Sequence, residues 1–275
     1  SMEVISIGIL YYCAFGPCLF SSVISYAITQ KLHVVHEHYD ITGIPSSIDV
    51  VMVLKVIGLA ILCAILSSLF CIFMTIVHKL FRKYFKNQYL RVFAGGLMLV
   101  LLNIVLKTTD YNGTGMNIIA KALNGDAQPA AFLLKALFTA ITIGCGFRGG
   151  EIVPSFFVGA TFGCVAGGLM GMDPGFAAAL GMVCFFCGVV NCPLTSLFLS
   201  IELFGANGIM FFTIGCAVSY MLSGYYSLYN EQKIIYSKLR PHYVNLYTNQ
   251  EIRTKEPGFL EGFLRIREDD ADDVE

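Results

Sequence analysis

The chain has 275 residues, of which 56% are hydrophobic and 13% are charged, and its mean hydropathy is +0.70. In a soluble domain about a quarter of all residues are charged. This composition therefore excludes an ordinary soluble domain and predicts a protein of the lipid bilayer. The formal net charge is −1, so no basic field is present that would attract nucleic acid.

The first apolar segment covers residues 4–28 and is followed by the polar stretch 33–40, HVVHEHYD. We predict that this stretch is a solvated loop without a metal. A second apolar segment at 51–77 is long enough to cross a hydrocarbon core about 30 Å thick. Basic residues follow it from Lys79 to Arg91, and the positive-inside tendency places them in the cytoplasm.

Six further apolar segments have only 12 to 16 residues each. Helices of this length span a bilayer poorly, and short hydrophobic segments interrupted by Gly and Pro indicate half-helices that meet at a midplane site. The pattern therefore favours a channel or transporter. The six segments are 92–106, 130–145, 155–170, 176–190, 193–204 and 209–222.

Small residues recur every four positions at Gly159, Gly163, Gly167 and Gly171, which predicts close packing between helices. The ten cysteines lie almost entirely in apolar stretches and are predicted to be small buried hydrophobic residues. The CxxC spacing of Cys184 and Cys187 lacks a second pair, so packing is preferred to a metal or redox role. No cofactor is implied.

After residue 222 the chain becomes more polar, and residues 223–240 have a helical character. We assign residues 1–240 to the membrane helices and 241–275 to a short acidic cytoplasmic tail, ending in REDDADDVE. The opening SMEV resembles SIEL at 200–203, which suggests that the chain begins at the end of one copy of a repeated helix.

The most informative stretch is GCGFRGGEIVPSFFVGA, residues 144–160. Glycines followed by a proline near a helix start deliver backbone N–H groups, which can bind an anion without a full positive charge. Such binding is weak enough to let a transported ion leave. Arg148 and Glu151 in this loop are predicted to form a structural pair at a vestibule, with attraction or screening of ions as the alternative.

These motifs together resemble the CLC family of chloride channels and proton-coupled exchangers. The stretch from Gly150 to Pro154 is similar to the family's GxFxP signature, with Ile152 where Phe is usual. The stretch from Cys192 to Glu202, which includes Pro193, is similar to its later APLTG helix, and residues 223–240 are similar to its closing segment. The loop 113–115, Gly-Thr-Gly, is a weaker match.

The resemblance implies an all-α bundle of tilted full and half helices, with this chain as most of the second half of an inverted repeat. It implies that the amides of Glu151 and Ile152, beside Gly150, contact the anion. It also implies a coordinating tyrosine, for which Tyr236 is the first choice and Tyr226 the alternative. A hydroxyl suits this task because it is a neutral donor.

Further expectations follow from the resemblance: transport of chloride, a homodimer in the cell membrane and a cytoplasmic C-terminus. The dimer contact is expected through the first segment and residues 193–222, and the site is completed by the absent first half. Val4 stands where many exchangers have an internal proton-accepting glutamate, which weakens ordinary proton coupling. The Ile152 substitution keeps a fluoride exporter as an alternative.

Two other classes of membrane protein fit the sequence less well. A membrane-embedded enzyme needs a nucleophile, base or metal set, and the sequence shows only scattered Ser and Cys. A membrane scaffold without transport would not need the Gly-rich loop and the short paired helices. We therefore predict a transporter or channel rather than an enzyme.

Overall fold

The computed structural model describes residues 3–34, 38–41, 43–45, 49–238 and 243–249. In these ranges the chain is mostly helical, as predicted, with one small three-stranded sheet that was not predicted. The acidic run 267–275 and Arg240 lie outside the described residues. The helices are α1 (Phe15–Lys31), α2 (Val50–Tyr84), α3 (Gln88–Leu106), α4 (Met116–Leu123), α5 (Ala131–Gly144), α6 (Ile152–Leu169), α7 (Pro174–Val190), α8 (Pro193–Phe204) and α9 (Ile209–Leu222); the strands are β1 (Ser6–Ile7), β2 (Lys233–Tyr236) and β3 (Tyr243–Tyr247).

Helix α7 is the centre of the core. Every residue after its first proline is buried, and its sequence is apolar on all sides, as expected for a helix without a solvated face. Helices α2, α6 and α9 pack around it. The core therefore surrounds one helix that begins at a proline and is capped by Asp173.

The glycines of α6 allow its close approach to α7. A Cβ on Gly159 would lie 2.8 Å from the carbonyl oxygen of Gly181, and one on Gly163 would overlap the carbonyl oxygen of Ala177. Gly167 is equally close to Ala177, so the predicted packing is confirmed for three of the four glycines. It is wrong for Gly171, whose φ of +67° lies beyond the end of α6.

Two of the six segments predicted to be short form helices long enough to be candidate membrane spans. Helices α3 and α6 have 19 and 18 residues and are long and apolar enough to cross a membrane, as are Tyr12–Lys31 and α2. The prediction failed because α3 begins in the polar residues before 92 and α6 begins before its proline. Helices α5, α7, α8 and α9 have 10 to 17 residues, which confirms the short helices expected there.

The closing segment is not helical over its described residues 223–238, which corrects the helical prediction made for 223–240. After α9 the chain forms turns and then β2, whose paired isoleucines favour a strand. Strand β2 pairs in parallel with β1, with Ser6 opposite Lys233, and antiparallel with β3. The sheet thus joins the first residues of the chain to the closing segment.

Eight of the ten cysteines are buried, which confirms their predicted packing role. Cys13 is exposed and Cys18 is partly buried, because α1 and the turn before it have no buried residue. The apolar face of α1 is therefore uncovered in the described chain.

Candidate functional site

The first turn of α6 carries backbone N–H groups that no side chain of the described residues caps. Glu151 is the N-cap residue, Ile152 is the first helical residue and is 37% exposed, and Pro154 lies in the first turn, where a proline costs no hydrogen bond. Gly150 is exposed and has open space at its Cβ position. The predicted stretch thus forms a helix start with available amides.

Glu151 lines a cavity of about 480 Å³ between α2, α5 and the segment after α9. The inner wall is formed by buried side chains of α2, and the outer part by exposed basic residues one to two turns further along the same helix. The positive mouth favours entry of an anion. The lining residues are Cys71, Met74, Thr75, His78, Lys79, Arg82, Ile143, Glu151, Ser227, Leu228 and Asn230.

Arg148 is exposed, and among the described residues no ion pair joins it to Glu151. The predicted structural pair of Arg148 and Glu151 is therefore not supported by the geometry. A role for Arg148 in attracting ions stays a prediction.

The structure separates the two candidate tyrosines. Tyr236 lies in β2, is 42% exposed, and packs its ring edge against Tyr243 at 5.9 Å between centroids. Tyr226 is 9% exposed and precedes Ser227 of the cavity wall, and its carbonyl accepts a hydrogen bond of 2.9 Å from Asn191. Neither tyrosine is among the residues that line the cavity, but Tyr226 is adjacent in sequence to the lining residue Ser227, whereas Tyr236 is six residues beyond the last lining residue, Asn230.

The first backbone amides of α8, in contrast to those of α6, are capped by a side chain. The Glu3 carboxylate accepts from the amides of Leu194 at 3.1 Å and Thr195 at 2.9 Å, and from the Thr195 hydroxyl at 2.8 Å. Pro193 is the first residue of α8, and Glu202 is exposed in its last turn. The start of α8 is thus occupied by a carboxylate of the same chain.

Sequence reasoning missed a buried polar cluster at the ends of α7 and α9. The Lys238 ammonium donates to Oδ1 of Asn191 and, at 2.8 Å, to Oγ of Ser223, the residues that follow these two helices. Its Nζ also lies 4.8 Å from the centre of the Tyr220 ring. Helix C-termini stabilise a cation, while burial lowers the pKa of Lys238 to about 7.

Sequence reasoning also missed a buried lysine that forms hydrogen bonds with the Gly-rich loop. Lys135 of α5 is 2% exposed and donates to the carbonyls of Tyr111 at 3.1 Å and Gly113 at 2.7 Å. Its Nζ lies 5.0 Å from the ring of Phe157 on α6. The available signal was a single lysine within an apolar segment, which in a membrane protein indicates a buried partner.

Comparison with known proteins now identifies the family. The model of the family described as "Voltage gated chloride channel" matches residues 1–224. The chain belongs to this family. The match ends before both candidate tyrosines, so it leaves the closing segment untested.

Relatives within the voltage gated chloride channel family agree with the predicted membrane fold. A "Chloride/fluoride channel protein" of Pseudomonas syringae pv. tomato is 31% identical over 86% of this chain and 54% of its own length. The "H(+)/Cl(-) exchange transporter ClcA" of Vibrio cholerae is 26% identical over 52% of this chain and 33% of its own length. The chain thus spans about half the length of the first relative.

Solved structures give the same fold. A CLC-type fluoride/proton antiporter superimposes with a TM-score of 0.80 and 30% identity, covering 85% of this chain and 59% of that chain. A eukaryotic CLC transporter superimposes with a TM-score of 0.59 at 21% identity, over 82% of this chain and 40% of that one, which supports the fold alone. The family consists of membrane channels and transporters rather than enzymes, in agreement with the prediction.

Proposed function

We propose that the protein containing this chain transports a small inorganic anion across a membrane, and that the start of α6 contacts this anion. The supporting observation is that the uncapped first turn of α6 begins at Glu151, which lines a cavity with a basic mouth. Amide groups at a helix start attract an anion without holding it as strongly as a formal charge. The ion can therefore both bind and leave.

Chloride is the first candidate ion, because the description of the family names chloride. Fluoride is the second candidate, because the relatives with 31% and 30% identity both carry fluoride in their names. Exchange against protons is included in the proposal, because two of the relatives are named as proton exchangers or antiporters. Because Val4 stands where many exchangers have an internal glutamate, a different group would have to carry the proton in this protein.

We further propose a homodimer with one transport path per subunit. Helix α1 has no buried residue although it is apolar, and α8 and α9 also expose large apolar side chains such as Phe198 and Met210. These surfaces would be covered by a second copy and by lipid. The basic residues at the end of α2 support a cytoplasmic position for the cavity mouth and for the C-terminus.

The full-length protein in liposomes loaded with chloride or fluoride tests the function. We expect efflux of at least one of the two ions, with proton movement recorded in the same vesicles. Ile152→Pro removes one amide donor while keeping a residue that a helix start accepts, so efflux should fall about tenfold. Ile152→Ala keeps the amide and is the matched control. No efflux of either ion from well-folded protein would overturn the proposal and favour a scaffold.

The same assay separates the tyrosines. Tyr226→Phe should raise the anion concentration that gives half-maximal efflux, because the residue after Tyr226 lines the cavity. Tyr236→Phe should leave this concentration unchanged, since the ring packs on Tyr243 at an exposed position. The reverse result would return the coordinating role to Tyr236.

A further inference from the structure

The cavity wall formed by Ser227, Leu228 and Asn230 belongs to an irregular segment between α9 and β2. A segment without helix or strand hydrogen bonds needs other contacts to fix its shape. One side of it is bonded to the end of α7, where the amide of Leu228 donates to the carbonyl of Val189 at 3.0 Å. The other side is bonded to residues 248 and 249, after β3.

Asn249 contacts this wall with both ends of its side-chain amide. Its Oδ1 accepts from the backbone N–H of Ser227 at 3.1 Å, and its Nδ2 donates to the carbonyl of Ser227 at 2.7 Å. The same Nδ2 donates to Oδ1 of Asn230 at 2.7 Å. Asn249 is 2% exposed and has a φ of 58°, a conformation that asparagine tolerates better than most residues.

The bond to Asn249 fixes which end of the Asn230 amide is available. Oδ1 of Asn230 is engaged as an acceptor, so the Nδ2 group is the donor end, and within the described residues no acceptor is bonded to it. Asn230 is exposed and lines the cavity together with Lys79 and Arg82. Two N–H donors are therefore held at the basic mouth of the cavity.

We propose that Asn230 contacts the anion through its Nδ2 group and that Asn249 is a positioning residue that orients it. This inference rests on the proposed transport function and adds a second neutral donor to the amides at the start of α6. A carboxamide donor at the mouth binds an anion without the full charge of the neighbouring Lys79 and Arg82, so the ion passes inward instead of remaining there.

The test measures anion dependence of efflux in the full-length protein, with chloride and fluoride as the ions. Asn230→Asp replaces the donors by a negative charge of the same shape and should raise the half-saturating anion concentration at least about tenfold. Asn249→Ala should raise it several-fold in the wild-type background and should have no further effect in an Asn230→Ala background, because its influence acts through Asn230.

Thr248→Val is the matched control. Thr248 donates from its hydroxyl to the carbonyl of Tyr229 at 2.7 Å, a bond between the same two segments that does not involve a residue of the cavity wall. Thr248→Val should lower thermal stability without changing the half-saturating concentration. If Asn230→Asp leaves this concentration unchanged while wild-type efflux is normal, the inference fails and the proposed function stands; absence of wild-type efflux would overturn the proposed function itself.

Discussion

Replacing Gly163 by alanine tests the packing of α6 against α7. A Cβ at this position would overlap the carbonyl oxygen of Ala177 and would lie 2.8 Å from the Cα of Gly181. Both obstacles are backbone atoms of a helix that is buried on all sides, so neither can move away as a flexible side chain could. Gly168, on the exposed side of the same helix, has no atom within 4 Å of its Cβ position and provides the matched control.

The expected magnitude follows from two opposing effects. Exchange of glycine for alanine inside a helix gains about 0.8–1.0 kcal/mol of propensity, and this gain applies to both variants. Overpacking costs about 1–3 kcal/mol and applies only to Gly163→Ala. The difference in unfolding free energy between the two variants therefore isolates the overpacking cost, and the Gly163→Ala protein should unfold at least about 2 °C below the Gly168→Ala protein.

The buried cysteines provide the assay. Eight of them are inaccessible in the folded chain, so a maleimide dye that fluoresces on reaction with thiols reports thermal unfolding of the purified full-length protein. Any cysteine that reacts before heating sets the baseline. If Gly163→Ala unfolds at the same temperature as Gly168→Ala or above it, the close contact between α6 and α7 is not as described.

Two further predictions concern charged residues. Because burial lowers the pKa of Lys238 to about 7 from an ordinary 10.5, the unfolded state binds more protons between these values, so stability should rise with pH from about 7 to about 10. Calorimetry should show this rise in the wild type and a smaller one in Lys238→Met; equal slopes would contradict it. Glu3→Ala should lower stability by roughly 1 kcal/mol, since it leaves the start of α8 uncapped, whereas Glu202→Ala at the exposed end of α8 should change little.

Most of the helices could be predicted because each coincides with an apolar segment of the sequence. The glycine spacing on α6 also correctly predicted that this helix packs closely against another helix, because small residues at every fourth position allow two helices to approach. The closing segment could not be predicted in the same way. Its isoleucines at 234 and 235 favour a strand, but the strand pairs with β1, which lies more than 200 residues away along the chain.

The site could be predicted in part. The loop before α6 and its amides follow from local sequence, whereas the cavity wall depends on side chains that meet only in the fold. Asn191, Lys238 and Asn249 are single polar residues with no recognisable motif, and each bonds a partner at least 15 positions away. A pattern search therefore finds the helix start and misses the residues that shape the space in front of it.

The starts of α6, α7 and α8 explain why a proline near a helix start does not by itself define an anion site. At α7 the Asp173 carboxylate accepts from the amide of Phe176 at 3.0 Å, and at α8 the Glu3 carboxylate accepts from two amides. Of these three, only the start of α6 has no cap from a side chain in the part of the protein that the structure describes. The bound carboxylates show that such amides take an anionic group when one is near.

Glu3→Ala therefore has a second expected result. With the carboxylate removed, the amides of Leu194 and Thr195 become available to an external anion, so adding chloride should restore part of the lost stability. The wild type should gain less from the same addition at this site, because its start of α8 is already occupied. If chloride stabilises the wild type and Glu3→Ala equally, the Glu3 carboxylate does not compete with an anion. The capping of α8 would then give no support to anion binding at the start of α6.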